Sequence, residues 1–216
     1  AESAATFSWA WWMNPDDVAA TLDNLFTKVS VTTYCFGGQR NAATVLMVCG
    51  GTGGDSGSIG SALSVGNWAH IAFVFDGGLS GNSNRLKGWL NGVSQSLTFA
   101  GTIPTALGSV SNDTFLGSSS NNDFFYDGKM GLVKVWTAAI TQTEVQQEMH
   151  SYWPVRRTNL ILWSPYDDGV RARDYSGSGN HGTVTGTLAA GGPPHIPHPE
   201  RFIAQKHRHG GLGLWG

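Results

Sequence analysis

Residues 6–14 alternate strictly between two kinds of side chain, and this period of two constrains the fold more than any other feature of the sequence. One face carries Phe7, Trp9, Trp11 and Met13. The other face carries Ser8, Ala10 and Trp12, and Pro15 follows. Because successive side chains of a β-strand point to opposite faces, the segment is predicted to be a strand with one side in a core.

Further short apolar segments, separated by Gly, Asn, Asp or Ser, are predicted to be strands in the same way. They are residues 25–31, 44–49, 68–75, 86–90, 93–99, 114–116, 130–136 and 160–163. Asn91-Gly92 separates two of them and predicts a two-residue hairpin turn, since both central residues of that turn need a positive φ. Many strands at this spacing predict an all-β fold, a sandwich of two antiparallel sheets.

One short helix is predicted after these strands. Thr141 and Glu144 have the spacing of a capping box, in which each side chain bonds the backbone amide of the other residue. Val145, Met149 and Tyr152 then recur at helical spacing, so the helix is expected to lay one apolar stripe on the sandwich.

The composition excludes some partners. Charged side chains are 13% of the 216 residues, against about 25% in an average soluble protein. The thirteen basic residues are spread along the chain, and because phosphate binding needs clustered Lys and Arg, nucleic acid is not an expected partner. No apolar run reaches the ~18 residues of a membrane-spanning helix, so no membrane span is predicted.

The chain changes character near residue 190. We expect residues 1–190 to form one jelly-roll domain and residues 191–216, rich in Pro, Gly and His, to form an extended C-terminal arm. The arm ends in the apolar residues 212–215, which have no core of their own to enter. Self-association through this arm is therefore predicted.

Cys35 and Cys49 are the only cysteines. If residues 29–36 and 44–49 form a hairpin that turns near Arg40, Cys35 lies opposite about position 45 and Cys49 opposite about position 31. This register argues against a disulfide between them, although a disulfide stays the alternative.

Several motifs resemble, in order, those of a known family. They are FSWAWWMNP at 7–15, NWAHIAFVFDG at 67–77, WLNG at 89–92, YDGKMGLVKVW at 126–136 with Glu144 shortly after, and DYSGSGNHG at 174–182. Together they resemble the laminin-G-like jelly-roll domain of the concanavalin A-like lectin/glucanase superfamily. The resemblance covers about residues 6–188 and implies a jelly-roll sandwich.

The same resemblance raises a question about one sheet edge. In relatives, a further strand usually comes before the first of these motifs. Here that edge is absent, closed by residues 160–190, or donated by another molecule. An open edge would invite strand addition and a second route to self-association.

The family includes lectins, adhesion modules, decoration domains and, elsewhere in the superfamily, glycosidases. A retaining glycosidase needs two carboxylates about 5 Å apart. The four glutamates are Glu2, Glu144, Glu148 and Glu200, and none lies on a predicted strand. We therefore expect a protein that is not an enzyme.

A sugar site needs an exposed aromatic side chain with polar groups beside it. The loop at 118–126 has this composition, with Phe124, Phe125 and Tyr126 as stacking surfaces and Asn121, Asn122 and Asp123 as polar partners. The alternative is that these aromatic side chains cap the core.

Calcium is the candidate cofactor, because hard cations take oxygen ligands from loops. The candidate ligands are Asp76, Asn91, Asp113 and Asp127, together with the polar residues of the 118–126 loop. The alternative is that Asp76 and Asn91 are simply turn formers.

The sequence thus favours a non-catalytic recognition module that binds a glycan or another cell-surface ligand, placed outside the cell or on a particle surface. The alternative is a structural subunit of a virion, surface layer or filament, with the lectin-like fold as scaffold and the C-terminal arm as the assembly device.

Overall fold

In a computed structural model, the chain forms two stacked antiparallel β-sheets. The structure describes residues 3–19, 22–30, 33–52, 54–118, 124–165 and 172–184. Within these ranges it has thirteen strands and two helices, which confirms the predicted all-β, two-sheet jelly-roll class. The predicted C-terminal arm, residues 191–216, lies outside the described residues.

The first sheet has β1 near its centre. Its strands are, in spatial order, β13 (Leu160–Ser164), β12 (Gly128–Trp136), β1 (Thr6–Pro15), β7 (Ala69–Asp76), β8 (Leu86–Leu90) and β9 (Val93–Gln95). The second sheet consists, in order, of β10 (Thr98–Ala100), β6 (Ser56–Ile59), β4 (Thr44–Val48), β3 (Thr33–Asn41), β2 (Leu22–Ser30) and β11 (Phe115–Leu116). A short strand β5 (Gly51–Thr52) pairs with β3.

The interior between the sheets is aromatic, as the alternation of β1 predicts. Trp9 and Trp11 are fully buried and stack with ring centroids 3.9 Å apart. Phe26 of β2 meets Trp9 from the opposite sheet at 4.7 Å. Beside it lies Gly38 of β3, where a Cβ atom would overlap the Trp9 indole. The glycine is therefore required by the close approach of the Trp9 ring.

The predicted segment 93–99 is two strands in different sheets. Gln95 pairs with Gly88 in the first sheet, whereas Thr98 pairs with Ser58 in the second. The chain crosses between the sheets at this point, a change that apolar alternation does not reveal. The Asn91-Gly92 turn is confirmed, with φ values of 50° and 75°.

The sheet edge that the resemblance left in question is closed by the chain itself. Strand β13 pairs with β12, with Trp163 opposite Lys134 and Leu162 opposite Val135. Of the three arrangements considered from sequence, the structure therefore shows closure by residues within 160–190. This pairing leaves no open edge on β12 for strand addition.

The predicted helix is confirmed as α2 (Gln142–Met149), and its capping box is present. The Thr141 hydroxyl accepts the Glu144 amide at 3.2 Å, and Glu144 accepts the Thr141 amide at 2.7 Å. Tyr152 lies beyond the end of the helix, so the predicted apolar stripe is one turn too long. A one-turn helix, α1 (Asn82–Arg85), was not predicted. In the described part of the chain, neither helix is long and apolar enough to cross a membrane.

A buried ion pair joins α2 to the outer face of the first sheet. The Lys134 ammonium lies 2.5 Å from a Glu148 carboxylate oxygen, and both side chains are 1% exposed. Lys134 also donates to the Ser151 carbonyl at 2.7 Å. Burial lowers the pKa of Lys134, and the Glu148 carboxylate opposes that effect. The charge is therefore held at a buried position by its partners.

The hairpin register predicted around the cysteines is wrong. Strand β3 pairs Gly37 with Val48 and Tyr34 with Gly51, so Cys35 lies opposite position 50. The turn falls after Asn41, because β3 runs through Arg40 as a buried strand residue. Neither Cys35 nor Cys49 forms a disulfide, and burial raises the pKa of the Cys49 thiol.

Gly38→Ala is expected to lower the free energy of unfolding by about 1–3 kcal/mol, because the added methyl group overpacks the Trp9 site. Urea denaturation measures this loss. The matched control is Gly60→Ala, whose Cβ would meet no atom within 4 Å. Equal stability of the two variants would contradict the packing described for Trp9.

Glu148→Gln is expected to cost about 3–5 kcal/mol, since it leaves the Lys134 charge buried without its counter-ion. Thermal unfolding of Glu148→Gln and of the double variant Lys134→Met/Glu148→Leu gives the comparison, and the double variant should recover part of the loss. Glu144→Gln, at the more exposed start of the same helix, is the control and should cost ~1 kcal/mol or less. Equal losses at the two glutamates would refute the buried pair.

Candidate functional site

The predicted sugar-binding loop presents two phenylalanine rings at the surface. Phe124 is 50% exposed and Phe125 is 60% exposed. Of the other predicted ligand-binding residues, Asn121, Asn122 and Asp123 lie outside the described residues. The part of the site that the structure establishes is therefore the pair Phe124–Phe125, here called the Phe pair.

Backbone hydrogen bonds hold both sides of the loop against β2. Before the loop, the Gly117 amide donates to the Leu25 carbonyl at 3.0 Å. After it, the Asn24 amide donates to the Phe124 carbonyl at 2.9 Å, and the Tyr126 amide donates back to Gly117 at 2.9 Å. Phe124 has a φ of 51°, a conformation that these bonds hold in place. The Phe pair is thus fixed beside the second sheet.

Tyr126 points inward from this loop. Its ring packs against the hydrophobic core, and the Arg40 guanidinium lies 6.0 Å from its centroid. Burial raises the pKa of its hydroxyl, with a smaller opposing effect of Arg40. Tyr126 therefore has the alternative role that the sequence left open, which is to cap the core.

Arg40 fixes the floor beneath the loop. Its side chain is fully buried, and its guanidinium forms an ion pair with Asp23 of the neighbouring strand. It also donates to the carbonyl and the carboxylate of Asp17, each at 3.1 Å. Arg40 thereby joins β2, β3 and the segment after β1. Its hydrogen bonds to carboxylates are charge-assisted, and such bonds are stronger than those between neutral groups.

The opposite face of β2 and β3 carries a short polar network. The Gln39 amide donates to the Asn24 side-chain oxygen at 2.9 Å and to the Tyr34 hydroxyl at 3.0 Å. Asn24 and Gln39 are 3% and 5% exposed, so this network presents little surface to a ligand. Sequence reasoning missed them because it placed a turn near Arg40 where β3 continues.

Exposed charged groups follow the Phe pair along the chain. Asp127 is exposed, and its carbonyl accepts the Asp16 amide at 3.2 Å. Lys129 forms a surface ion pair with Asp16 at 3.5 Å. Charged hydrogen-bonding groups therefore follow the Phe pair directly in the sequence.

The predicted calcium ligands are dispersed. Asp76 is the last residue of β7. The Asn91 backbone amide donates to the carbonyl of His70 near the start of the same strand, so Asp76 and Asn91 lie about 20 Å apart, at opposite ends of β7. Asp76 accepts the Gly78 amide at 3.1 Å within its own turn, whereas Asn91 accepts the amide of His70 on the neighbouring strand β7 at 2.8 Å. The Asp76 bond and the positive φ of Asn91 fit the turn-forming alternative.

The other two candidates are exposed in separate loops, Asp113 before β11 and Asp127 before β12. Among the residues that the structure describes, no three His, Cys, Asp or Glu side chains converge on a metal-sized site. The calcium prediction stays a prediction.

Asp76 also lines a cleft of about 350 Å³ on the outer face of the first sheet. Lys87 and Trp89 form part of its floor, and Thr141 and Gln142 at the start of α2 form one wall. Sequence patterns gave no signal for this cleft, because its walls come from segments far apart in the chain.

The two glutamates in the described ranges have structural partners. Glu144 bonds Arg156 at 2.7 Å in addition to capping α2, and Glu148 pairs with buried Lys134. His70 is buried on the first sheet, and burial, followed by the Lys134 charge, lowers its pKa to about 3. The two glutamates are therefore held in structural contacts.

The fold is shared with solved proteins at low sequence identity. A proposed carbohydrate-binding protein from Bacteroides ovatus ATCC 8483 superposes with a TM-score of 0.62 and 16% identity, over 87% of this chain and 56% of its own. The chain thus spans little more than half the length of that protein.

Two other solved structures align less closely. The CBM40 of the Ruminococcus gnavus IT-sialidase, solved with α2,3-sialyllactose, has a TM-score of 0.48 and 12% identity over 66% of this chain and 81% of its own. Domain 4 of AbnA, an extracellular arabinanase from Geobacillus stearothermophilus solved with arabinotriose, has a TM-score of 0.45 and 20% identity over 68% of each chain.

Among curated proteins, the comparison finds no match to this chain. The family comparison is positive and agrees with the motifs and with the two-sheet fold. Residues 2–146, more than half of the chain, match the Laminin_G_3 model of the concanavalin A-like lectin/glucanases superfamily, and the protein belongs to this family.

Proposed function

We propose that this protein is a non-catalytic module that binds a glycan through the Phe pair. The observation that carries the proposal is the exposure of two consecutive phenylalanine side chains, at 50% and 60%, on a segment that is hydrogen-bonded to β2 on both sides. A large apolar patch that stays exposed on a folded domain marks an interaction site, and two consecutive exposed phenylalanines favour one here.

The chemistry of the site suits a sugar. The apolar face of a pyranose ring can lie on an aromatic ring, while its hydroxyls bond polar groups at the rim such as Asp127 and Lys129. Because the Phe124 backbone is already hydrogen-bonded to β2, little conformational entropy of the Phe pair is lost on binding. The proposed site therefore needs no rearrangement of the sheets.

Two further observations support the ligand class. The family to which the chain belongs includes lectins by its description, and the B. ovatus protein of the same fold is a proposed carbohydrate-binding protein. The described glutamates Glu144 and Glu148 are held in structural contacts, which favours recognition without hydrolysis. We place this recognition outside the cell or on a particle surface.

The alternative function, a structural subunit, rested on two possible routes to self-association. These were an open sheet edge and the C-terminal arm, residues 191–216. Strand β13 of this chain pairs with β12, so no strand from another molecule is needed there, and β13 is the terminal strand of the sheet. The second stays a prediction. We therefore prefer glycan binding as the function.

Phe124→Ala/Phe125→Ala is expected to weaken glycan binding at least tenfold, since each truncation removes apolar contact worth about 1.5 kcal/mol or more. A glycan array with the wild-type chain identifies the sugar, and calorimetric titration then measures the affinity of the double variant. Tyr126→Phe is the first control and should bind as the wild type does, because that ring faces the core.

Val93→Ala is the second control, because it removes an exposed apolar side chain from the other sheet. Unchanged affinity in Phe124→Ala/Phe125→Ala, or an array with no binding, would contradict the proposal.

The same titration in the presence of a chelator tests whether calcium takes part in binding. Loss of binding would support a cation at the site, and retained binding would contradict the calcium prediction.

A further inference from the structure

A second aromatic surface lies on the other sheet, formed by residues that the sequence patterns did not assign to a binding site. Trp153 is 50% exposed and Tyr175 is 51% exposed. Both rings contact buried Trp163, with centroids 4.8 and 5.8 Å away. We call Trp153 and Tyr175, with Trp163 beneath them, the Trp–Tyr platform.

Strand β13 supplies the base of this platform. Trp163 is 5% exposed and lies opposite Lys134 of β12, on the outer face of the first sheet. The segment after α2 brings Trp153 to it. The Trp153 carbonyl accepts the Ser151 hydroxyl at 2.6 Å, and Ser151 in turn accepts the buried Lys134 ammonium. The ion pair that anchors α2 therefore also positions Trp153.

The turn that carries Tyr175 is fixed by one carboxylate. Asp174 accepts the amides of Trp163 at 3.0 Å and Ser176 at 2.8 Å through one oxygen, and the Asn180 amide at 2.9 Å through the other. The Tyr175 amide donates to the Trp163 carbonyl at 2.8 Å. Burial alone would raise the pKa of Asp174, but these bonds outweigh it and lower the pKa.

Hydrogen bonds to the backbone thus position the two segments, their rings pack on Trp163, and each ring residue keeps about half of its surface exposed. A tryptophan and a tyrosine combine an apolar face with a polar tip, which suits a ligand that is itself partly apolar and partly hydroxylated. The adjoining turn exposes Ser178, Asn180 and His181. Ser178 and Asn180 donate to the Leu160 and Ile161 carbonyls, and His181 accepts the Asp174 amide. The Ser178 hydroxyl oxygen, the Asn180 side-chain oxygen and the second His181 ring nitrogen remain as hydrogen-bonding partners for hydroxyls. An apolar protein segment would gain little from such a rim.

We propose that the Trp–Tyr platform is a second glycan-binding site, which takes neighbouring sugar rings of a neutral oligosaccharide on Trp153 and Tyr175. The inference deepens the proposed function and takes its ligand class from it. The platform lies on β13 of the first sheet, whereas the Phe pair lies beside β2 of the second. One chain therefore has two sites, and a polymer that reaches both is bound more tightly than a short oligosaccharide.

The test is the number of ligands bound per chain. Cellohexaose, xylohexaose, mannohexaose and laminarihexaose are titrated into the full chain by calorimetry, and the sugar that binds is used for the variants. The wild type should bind two molecules, and Trp153→Ala/Tyr175→Ala should bind one. Trp153→Phe/Tyr175→Phe keeps two aromatic faces and should restore two.

Val155→Ala, a nearby exposed apolar residue without an aromatic ring, is the matched control and should bind two molecules. Thermal unfolding of each variant verifies the fold. An independent readout uses Phe124→Ala/Phe125→Ala, in which the platform is intact: the sugar should still change its tryptophan fluorescence, because Trp153 is half-exposed.

The outcomes separate the two sites. The wild type could bind one molecule, with binding lost in Phe124→Ala/Phe125→Ala and kept in Trp153→Ala/Tyr175→Ala. This result would overturn the platform as a glycan site and leave the proposed function intact. One bound molecule with the reverse pattern would support the platform and overturn the Phe pair as the site. Absence of binding by the wild type, both on the glycan array and in these titrations, overturns both. Dissociation of an oligomer in Trp153→Ala/Tyr175→Ala, with unchanged sugar binding, would show a protein interface and overturn the platform.

Discussion

The stack of Trp9 on Trp11, pressed against Phe26 and the bare backbone of Gly38, is the contact on which the rest of the structure depends. A shift of β1 by one residue would turn both indoles out of the interior, so this contact fixes the register of β1. Strands β7 and β12 pair on either side of β1, and the other strands of the first sheet follow from them. Because Phe26 and Gly38 belong to β2 and β3, the same contact also places the second sheet, and β2 in turn holds the Phe pair.

The outer face of the first sheet is organised by a different kind of interaction. Apolar side chains around Val145 cover it, but the position of α2 is specified by the buried pair of Lys134 and Glu148. A buried pair adds little net stability compared with apolar residues, and it penalises any arrangement that separates the charges. In this protein the pair also holds the segment that carries Trp153. Packing between the sheets thus holds the strand beside the Phe pair, and the buried pair of Lys134 and Glu148 holds the segment of the Trp–Tyr platform that carries Trp153.

The predictable parts of the fold were those encoded by local patterns. The alternation of residues 6–14, the Asn91-Gly92 turn, the capping box of α2 and the family motifs were sufficient for the fold class. The β3–β4 register was not predictable, because Gly37 and Gly38 interrupt the apolar pattern and Arg40 is a core-facing strand residue whose partner Asp23 lies on another strand. Composition named the Phe pair as candidate stacking surfaces but left open that these rings cap the core, and only the structure shows that they are exposed. The Trp–Tyr platform could not be predicted from the sequence, since its three rings come from segments that only the β12–β13 pairing and the Asp174 turn bring together.

The most direct test of the account is a crystal structure of the chain with the glycan that the array identifies. Glycan recognition by the Phe pair predicts a sugar ring lying against Phe124 and Phe125, with its hydroxyls toward the rim at Asp127 and Lys129 and with the loop unmoved from β2. A sugar bound in the cleft between Trp89 and the start of α2, with Phe124 and Phe125 in contact with solvent alone, would contradict it.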